Sequence, residues 1–252
     1  MKVLKVVELV KTFKNNAIEN NVLKNISFEI EQGEFTAIMG QSGSGKSTLL
    51  YNISGMDRMT SGHVFIDGVD LSGKSDNELA DLRLHTMGFV FQNNHLLKNL
   101  NILDNICLPG FKANAHPRMD VVEKAEQWMD KLGILEVKAH DMNKVSGGQL
   151  QRAAICRALI NSPKIIFADE PTGALNSKAS DEVLGIFNQL NKEGTSILIV
   201  THDPKVASLA ERIIYMVDGV IGAELRLGKC TDETAKVQRE EKVFNWLMER
   251  GF

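Results

Sequence analysis

The stretch Gly40-Gln41-Ser42-Gly43-Ser44-Gly45-Lys46-Ser47 fits the pattern G-x-x-x-x-G-K-[ST]. Its glycines permit backbone conformations that a Cβ forbids, so the loop N–H groups turn inward around an anion. A helix starting behind the loop points its positive end at the same anion. Lys46 adds a point charge suited to the β- and γ-phosphates of a nucleotide, and the Ser47 hydroxyl suits Mg²⁺. A second group of chemically capable residues is Asp169-Glu170, which ends the apolar run Lys164–Asp169 (KIIFAD). A carboxylate there can hold Mg²⁺ opposite Ser47, while its neighbour polarises an attacking water. Gln92 and His202 also follow apolar runs. An amide and an imidazole in those places can serve a metal, a γ-phosphate or a water, or can be purely structural. Ser146-Gly147-Gly148-Gln149 offers a hydroxyl, flexible amides and a helix N-terminus, a second place to grip an anion; in isolation it is only a cap.

These residues need a scaffold that brings them to one edge. Glu34–Met39 (EFTAIM) reads as a buried strand before the glycine-rich loop, and Thr48–Ser54 as a helix stopped by Gly55. Met87–Phe91, Lys164–Asp169 and Ser196–Thr201 read as further strands. The helices between them run from Ser146-Gly147-Gly148 to Leu159 and over Asp181–Asn191. Alternating strands and helices imply parallel pairing with right-handed crossovers, and ligands of such sheets bind outside the carboxyl ends of the strands. The glycine loop, Gln92, Asp169-Glu170 and His202 all lie at such ends.

The remaining segments predict two additions to this α/β core. Leu4–Val10, Val22–Ile30 and His63–Ile66, with an Asp67-Gly68 turn, read as a largely antiparallel sheet. Thr12–Asn21 reads as a polar loop with Phe13 at its entrance, a flat ring that either edges the core or stacks on a base. Ser75–Glu78 is a capping box, and Asp120–Leu132 is amphipathic, with Gly133 as its cap. Pro109-Gly110 reads as a break. Residues 75–144 are therefore expected to form a mostly helical insertion. Thr231–Phe252 reads as a helical tail whose apolar cluster docks on its own domain or on a partner, with a solvated face as the bland reading of the charges at Arg239–Lys242.

Composition excludes several alternatives. The chain has 252 residues, 43% hydrophobic and 24% charged, with net charge −3, which gives no general attraction to nucleic acid or anionic membranes. No apolar run approaches the ~18 residues of a membrane span. The N-terminal segment carries charges through its apolar stretch and reads poorly as a signal peptide. Cys107, Cys156 and Cys230 are odd in number and lack metal-ligand spacing, as expected of reduced cytosolic thiols.

Taken in order, these motifs resemble the nucleotide-binding subunit of an ATP-binding cassette (ABC) transporter over nearly the full chain. The glycine loop through Thr48 resembles Walker A and Gln92 the Q-loop. Val145–Gln149 resembles the signature motif, which usually begins with leucine. Ile165–Glu170 resembles Walker B with its catalytic glutamate. Ala174-Leu175-Asn176 resembles the D-loop, and His202 the switch histidine. The resemblance implies a P-loop NTPase core with an antiparallel β-subdomain and an inserted helical subdomain. It gives Phe13 the place of the adenine-stacking aromatic. It implies ATP and Mg²⁺ as cofactors, with Ser47, Gln92 and Asp169 on the metal and Lys46, Glu170 and His202 at the chemistry. It also implies a head-to-tail homodimer, each ATP lying between Walker A of one chain and Ser146–Gln149 of the other. A membrane permease would be contacted near Gln92–Leu108, placing the chain at the cytoplasmic face of the membrane. No nucleic-acid partner is expected. The D-loop normally ends in aspartate, so Asn176 is a departure.

A finer resemblance rests on the long loop before Val22, on Phe89–Leu97 (FVFQ-x-x-x-LL) and on Phe167–Ser177 (FADEPTGAL-x-S). It points to the class serving macrolide export, lipoprotein release and bacitracin-type peptide resistance. The Gly173-Ala174 pair and the tail residues Phe244, Leu247 and Met248 favour the peptide-resistance branch. The alternatives are a macrolide/lipoprotein-type export ATPase, a division-type regulatory ATPase and a soluble ABC ATPase acting on DNA or ribosomes; one compact cassette without sustained heptads argues against the last. On this reading residues 1–228 are the ATPase domain and 229–252 a tail.

Overall fold

The computed structural model describes residues 1–15, 18–229 and 233–251. The chain divides into two compact units, Met1–Ser75 with Asn191–Phe252, and Asp76–Leu190. In the first unit β1 (Lys2–Asn15) and β2 (Ile18–Glu31) form a long antiparallel hairpin. Their pairing continues through Thr12↔Asn21, Phe13↔Asn20 and Lys14↔Glu19, so the expected polar loop is mostly strand. Polar residues dominate both faces there, Phe13 apart, which hides the alternation that marks a strand, but the cross-strand ladder and a 2.8 Å Lys14–Glu19 ion pair extend the hairpin. The connecting residues 16 and 17 lie outside the described residues. Next come β3 (Phe35–Gly40), buried along its whole length, α1 (Lys46–Ile53), β4 (Ser61–Ile66) and β5 (Val69–Asp70). Asp67 and Gly68 join the last two with φ of 47° and 80°, the turn their types predict. The sheet order is β2-β1-β4-β5.

The second unit holds α2 (Asp76–Thr86), β6 (Met87–Phe91), α3 (Ile102–Ala113), α4 (Arg118–Lys131), α5 (Gly147–Leu159), β7 (Ile165–Asp169) and most of α6 (Ser177–Lys192). Strands β6 and β7 pair in parallel, from Met87↔Ile165 to Phe91↔Asp169. The expected break at Pro109-Gly110 falls inside α3 instead. Gly110 is needed there for close packing: a Cβ would lie 2.5 Å from Cγ1 of Val121 on α4. Tertiary contact with α4 and α5 thus overrides a local breaker signal. On α4 the buried positions Val121, Ala125 and Met129 follow the predicted period.

The chain returns to the first unit with β8 (Ser196–Val200), α7 (Pro204–Ala207), β9 (Arg212–Val217), β10 (Val220–Arg226) and α8 (Glu233–Met248). Within this unit β8 and β9 flank β3, both parallel to it, and β10 closes the edge antiparallel to β9. Helix α8 docks through Val243 and Leu247, both fully buried, and through Trp246, edge-on to Tyr215 at 6.0 Å. Arg239 is not part of a solvated face. It is 8% exposed, and its guanidinium donates to the carbonyls of Ser208 (2.9 Å), Ala210 (2.7 Å), Leu227 (3.1 Å) and Gly228 (3.0 Å). Phe244 and Met248 point outward, 52% and 55% exposed. Cys107 and Cys156 are free and buried, and burial raises both thiols, Cys107 to about 11. Cys230 lies outside the described residues.

Candidate functional site

In the first unit, β3 delivers the chain into the glycine loop and α1 leaves it. Gly40 has φ of 151°, and a Cβ on it would sit 2.3 Å from the Met216 carbonyl oxygen and 2.7 Å from Ser44 Oγ. The loop therefore lies against β9 with no room for a side chain. Gly45 caps α1 in the left-handed region, φ 98°, and no side chain caps the helix. The helix begins at Lys46, two residues before its predicted start, so Lys46 and Ser47 sit in its first turn. Lys46 Nζ folds back onto the loop and donates to the Gly40 and Gln41 carbonyls, both at 2.8 Å. Ser44 is 5% exposed, and its hydroxyl has no hydrogen-bond partner among the described residues. An uncapped helix N-terminus, a cradle closed to Cβ atoms, a buried unsatisfied hydroxyl and an ammonium parked on carbonyls together fit a phosphate chain. Ser42, Gly43 and Ser47 are exposed around it.

His202 arrives at the same edge. The register Ile38↔Val200 and the bond from Thr201 N to Ile38 O (3.1 Å) align the ends of β3 and β8. The imidazole-bearing residue therefore leaves its strand beside the strand that feeds the loop, and it is exposed. Phe13 lies on β1, in the other sheet of the unit. It is 45% exposed and carries Lys11 Nζ 4.7 Å from its ring centroid. Lys11 is held by a 2.8 Å ion pair with Asp57, so one ring face is covered by a fixed cation.

In the second unit the pair Phe91↔Asp169 sets Gln92 and Glu170 at the same end of β6 and β7. The Gln92 amide packs on Gly173, where a Cβ would lie 2.9 Å from Nε2. Glu170 has φ of 46°, a conformation a non-glycine residue holds only where its surroundings impose it. The turn that follows is closed by Gly173 N on the Glu170 carbonyl at 3.0 Å. Of the expected metal ligands, Ser47 belongs to the first unit, Gln92 and Asp169 to the second. Among the described residues, no group of three His, Cys, Asp or Glu could hold a metal ion. Each by itself, the hydroxyl, the amide oxygen and the carboxylate, is a hard oxygen donor, the ligand chemistry that Mg²⁺ takes alongside phosphate oxygens and water.

The Ser146 side chain opens α5 as a full capping box. Its Oγ accepts from Gln149 N (3.3 Å), and Gln149 Oε1 accepts from Ser146 N (3.0 Å). Gly148 lets α5 approach α6, since a Cβ would come 3.0 Å from Ala179 Cβ, and Gly147 faces Leu175. Asn176 is the N-cap of α6: Oδ1 accepts from Ala179 N and the carbonyl from Ser180 N, both at 2.9 Å. That helix starts four residues before its predicted start, at Ser177, because of this cap. Aspartate and asparagine cap equally well. Asn176→Asp is therefore expected to leave stability within about 0.5 kcal/mol, while Asn176→Ala loses about 1 kcal/mol. Urea unfolding checks this; an equal loss in both variants would remove the capping role.

A family model described as ABC transporter matches residues 23–173. The chain belongs to the ABC transporter family. As an ABC protein it is 42% identical over 235 residues to the bacitracin export ATP-binding protein BceA of Halalkalibacterium halodurans, covering 93% of this chain and 92% of that one. The macrolide export ATP-binding/permease protein MacB of Bdellovibrio bacteriovorus is 40% identical across 94% of this chain, which spans only 36% of MacB. Among solved structures, the dimeric bacterial ABC transporter cassette MJ0796 superposes with a TM-score of 0.83 at 39% identity, covering 90% of this chain and all of that one. A second structure of that cassette is a dimeric post-hydrolysis state bound to ADP and Pi, with a TM-score of 0.81. The ABC ATPase fold expected from the motifs is thus the fold of this chain. Gln151, Arg157 and Arg239 carry structural duties that no motif announced. Only the run of small and apolar residues around Arg157, which buries the rest of that turn, signals any of them in the sequence.

Proposed function

We propose that this chain is the ATP-hydrolysing subunit of a transporter that protects the cell against antimicrobial peptides of the bacitracin type, driving a separate membrane permease. The observation that carries the ATPase reading is the pair of anion-gripping helix N-termini in one chain. One stands behind Gly45 in the first unit, the other behind Ser146 in the second. A single nucleotide needs one such grip. A head-to-tail homodimer uses both, with Walker A of one copy and the signature of the other on each ATP. The dimeric cassette MJ0796 supports this assembly. The near-complete alignment with BceA supports the peptide-resistance branch.

In this scheme the Gly40–Thr48 loop binds the triphosphate, Phe13 stacks on the base, and Lys46 leaves the loop carbonyls for the β- and γ-phosphates. Ser47, Gln92 and Asp169 would hold Mg²⁺, which would supply positive charge to offset that of the phosphates. Glu170 takes a proton from the attacking water, and His202 orients that water against the γ-phosphate. Gln92 reports the state of the site to the segment that follows it, where the permease docks. Among the described residues, no helix is long and apolar enough to cross a membrane, so the permease supplies the membrane-spanning part.

The test is affinity purification of full-length Glu170→Gln from native membranes with Mg·ATP. Recovery of a permease with a large extracellular domain is expected. A division-type permease would favour a regulatory ATPase, and ribosomes or DNA-bound partners would overturn the transporter reading.

A further inference from the structure

Helix α5 is tied to the segment after Gln92 by two side chains. Gln151, 1% exposed, donates from Nε2 to the Phe91 carbonyl at 3.0 Å. Arg157, in the last turn of α5, donates from Nη1 to the His95 carbonyl at 2.7 Å and from Nη2 to the Asn94 carbonyl at 2.6 Å. Among the described residues no carboxylate pairs with this guanidinium, and burial pulls its pKa below the usual value. A partly desolvated cation satisfied by two backbone carbonyls of one short segment costs stability unless that segment stays in place. The segment itself is bent. His95 has φ of 49° and stands edge-on to Phe91 at 5.1 Å. A left-handed histidine persists only where its surroundings over-determine it. On the far side Asn105, 1% exposed, accepts from Leu97 N (2.6 Å) and donates to Leu97 O (3.1 Å). Between these anchors Leu97 presents its side chain outward, 45% exposed.

We infer that Arg157 is a positioning residue that locks residues 94–97 to the signature helix, so that a pull on Ser146 at one end of α5 is delivered to Leu97 at the other. The inference rests on the proposed ATP-sandwich dimer. Residues 146 and 157 are eleven apart, roughly 16 Å along a helix. Between them α5 is buried around a full turn at Ala153, Ala154, Ile155 and Cys156, so the helix moves as a rod. A guanidinium fork making two charge-assisted bonds fixes both the distance and the orientation of the segment. An ammonium can reach two carbonyls from its one nitrogen but lacks the planar fork that fixes their orientation.

The experiment is hydrogen exchange on the full chain in the Glu170→Gln background, with and without Mg·ATP, read at residues 94–97. ATP is expected to slow exchange there at least about 5-fold in Glu170→Gln. In Glu170→Gln/Arg157→Lys and Glu170→Gln/Arg157→Gln the slowing disappears, while the ATP-dependent dimer and ATP affinity persist. Adding Arg157→Lys is the conservative check on folding. Full ATP protection of 94–97 in both double variants would overturn the inference. So would a Glu170→Gln dimer that forms without any change at 94–97. Failure of Glu170→Gln to dimerise with ATP would instead overturn the sandwich reading on which the inference rests.

Discussion

Glu170→Gln is expected to reduce ATP turnover by about 10²–10⁴-fold while leaving ATP affinity within a few-fold. On the proposed function Asp169 would hold the metal, which leaves the Glu170 carboxylate as the group to accept the proton. Glutamine keeps the size and one acceptor oxygen but cannot become protonated at neutral pH. The φ of 46° at this residue is imposed by the Gly173–Glu170 turn, and glutamine tolerates it as glutamate does. The variant should therefore fold, bind ATP and remain closed as an ATP-dependent dimer. Single-turnover hydrolysis and light scattering with Mg·ATP give both answers. Normal turnover would remove Glu170 from the base role, and loss of ATP binding would place it among the binding groups.

Arg239→Ala is expected to lower the stability of the first unit by about 3 kcal/mol or more, which for a body of this size lowers the unfolding midpoint by roughly 6–12 °C. Four carbonyls, of Ser208, Ala210, Leu227 and Gly228, share the guanidinium. Hydrogen bonds to a charged donor contribute about 1.5–3 kcal/mol each before losses are shared, and truncation leaves buried acceptors unmet. Arg239→Lys should recover part of the loss, since one ammonium reaches fewer of these oxygens. Thermal unfolding followed by tryptophan fluorescence reads the effect directly, because Trp246 on α8 reports docking against Tyr215. Limited proteolysis should cut α8 in the alanine variant first. A midpoint within a degree of wild type would show that the clamp is dispensable.

Local chemistry is what the sequence by itself determined. The glycine loop, the Ser146–Gln149 capping box, the Asp67-Gly68 turn and the strands at Met87–Phe91 and Ile165–Asp169 are specified by residues within a few positions of one another. Backbone dihedrals, capping bonds and hydrophobic period act over that range, so their residue types state the outcome. Tertiary structure decided the rest. Lys14 and Glu19 extend a hairpin through a polar stretch because a ladder partner exists, which no one-strand pattern reveals. Pro109-Gly110 continues a helix because α4 needs a backbone without a Cβ at Gly110. Asn176 starts α6 early and gives the D-loop departure a structural duty. Arg239 stands in a charged run of the sequence and Arg157 in an apolar one, and both are clamps in the fold. The carbonyls that hold them lie from eleven to more than sixty positions away, at Leu227, Gly228, Asn94 and His95. A backbone acceptor has no residue-type signature, so only the folded chain shows where a buried cation finds its partners.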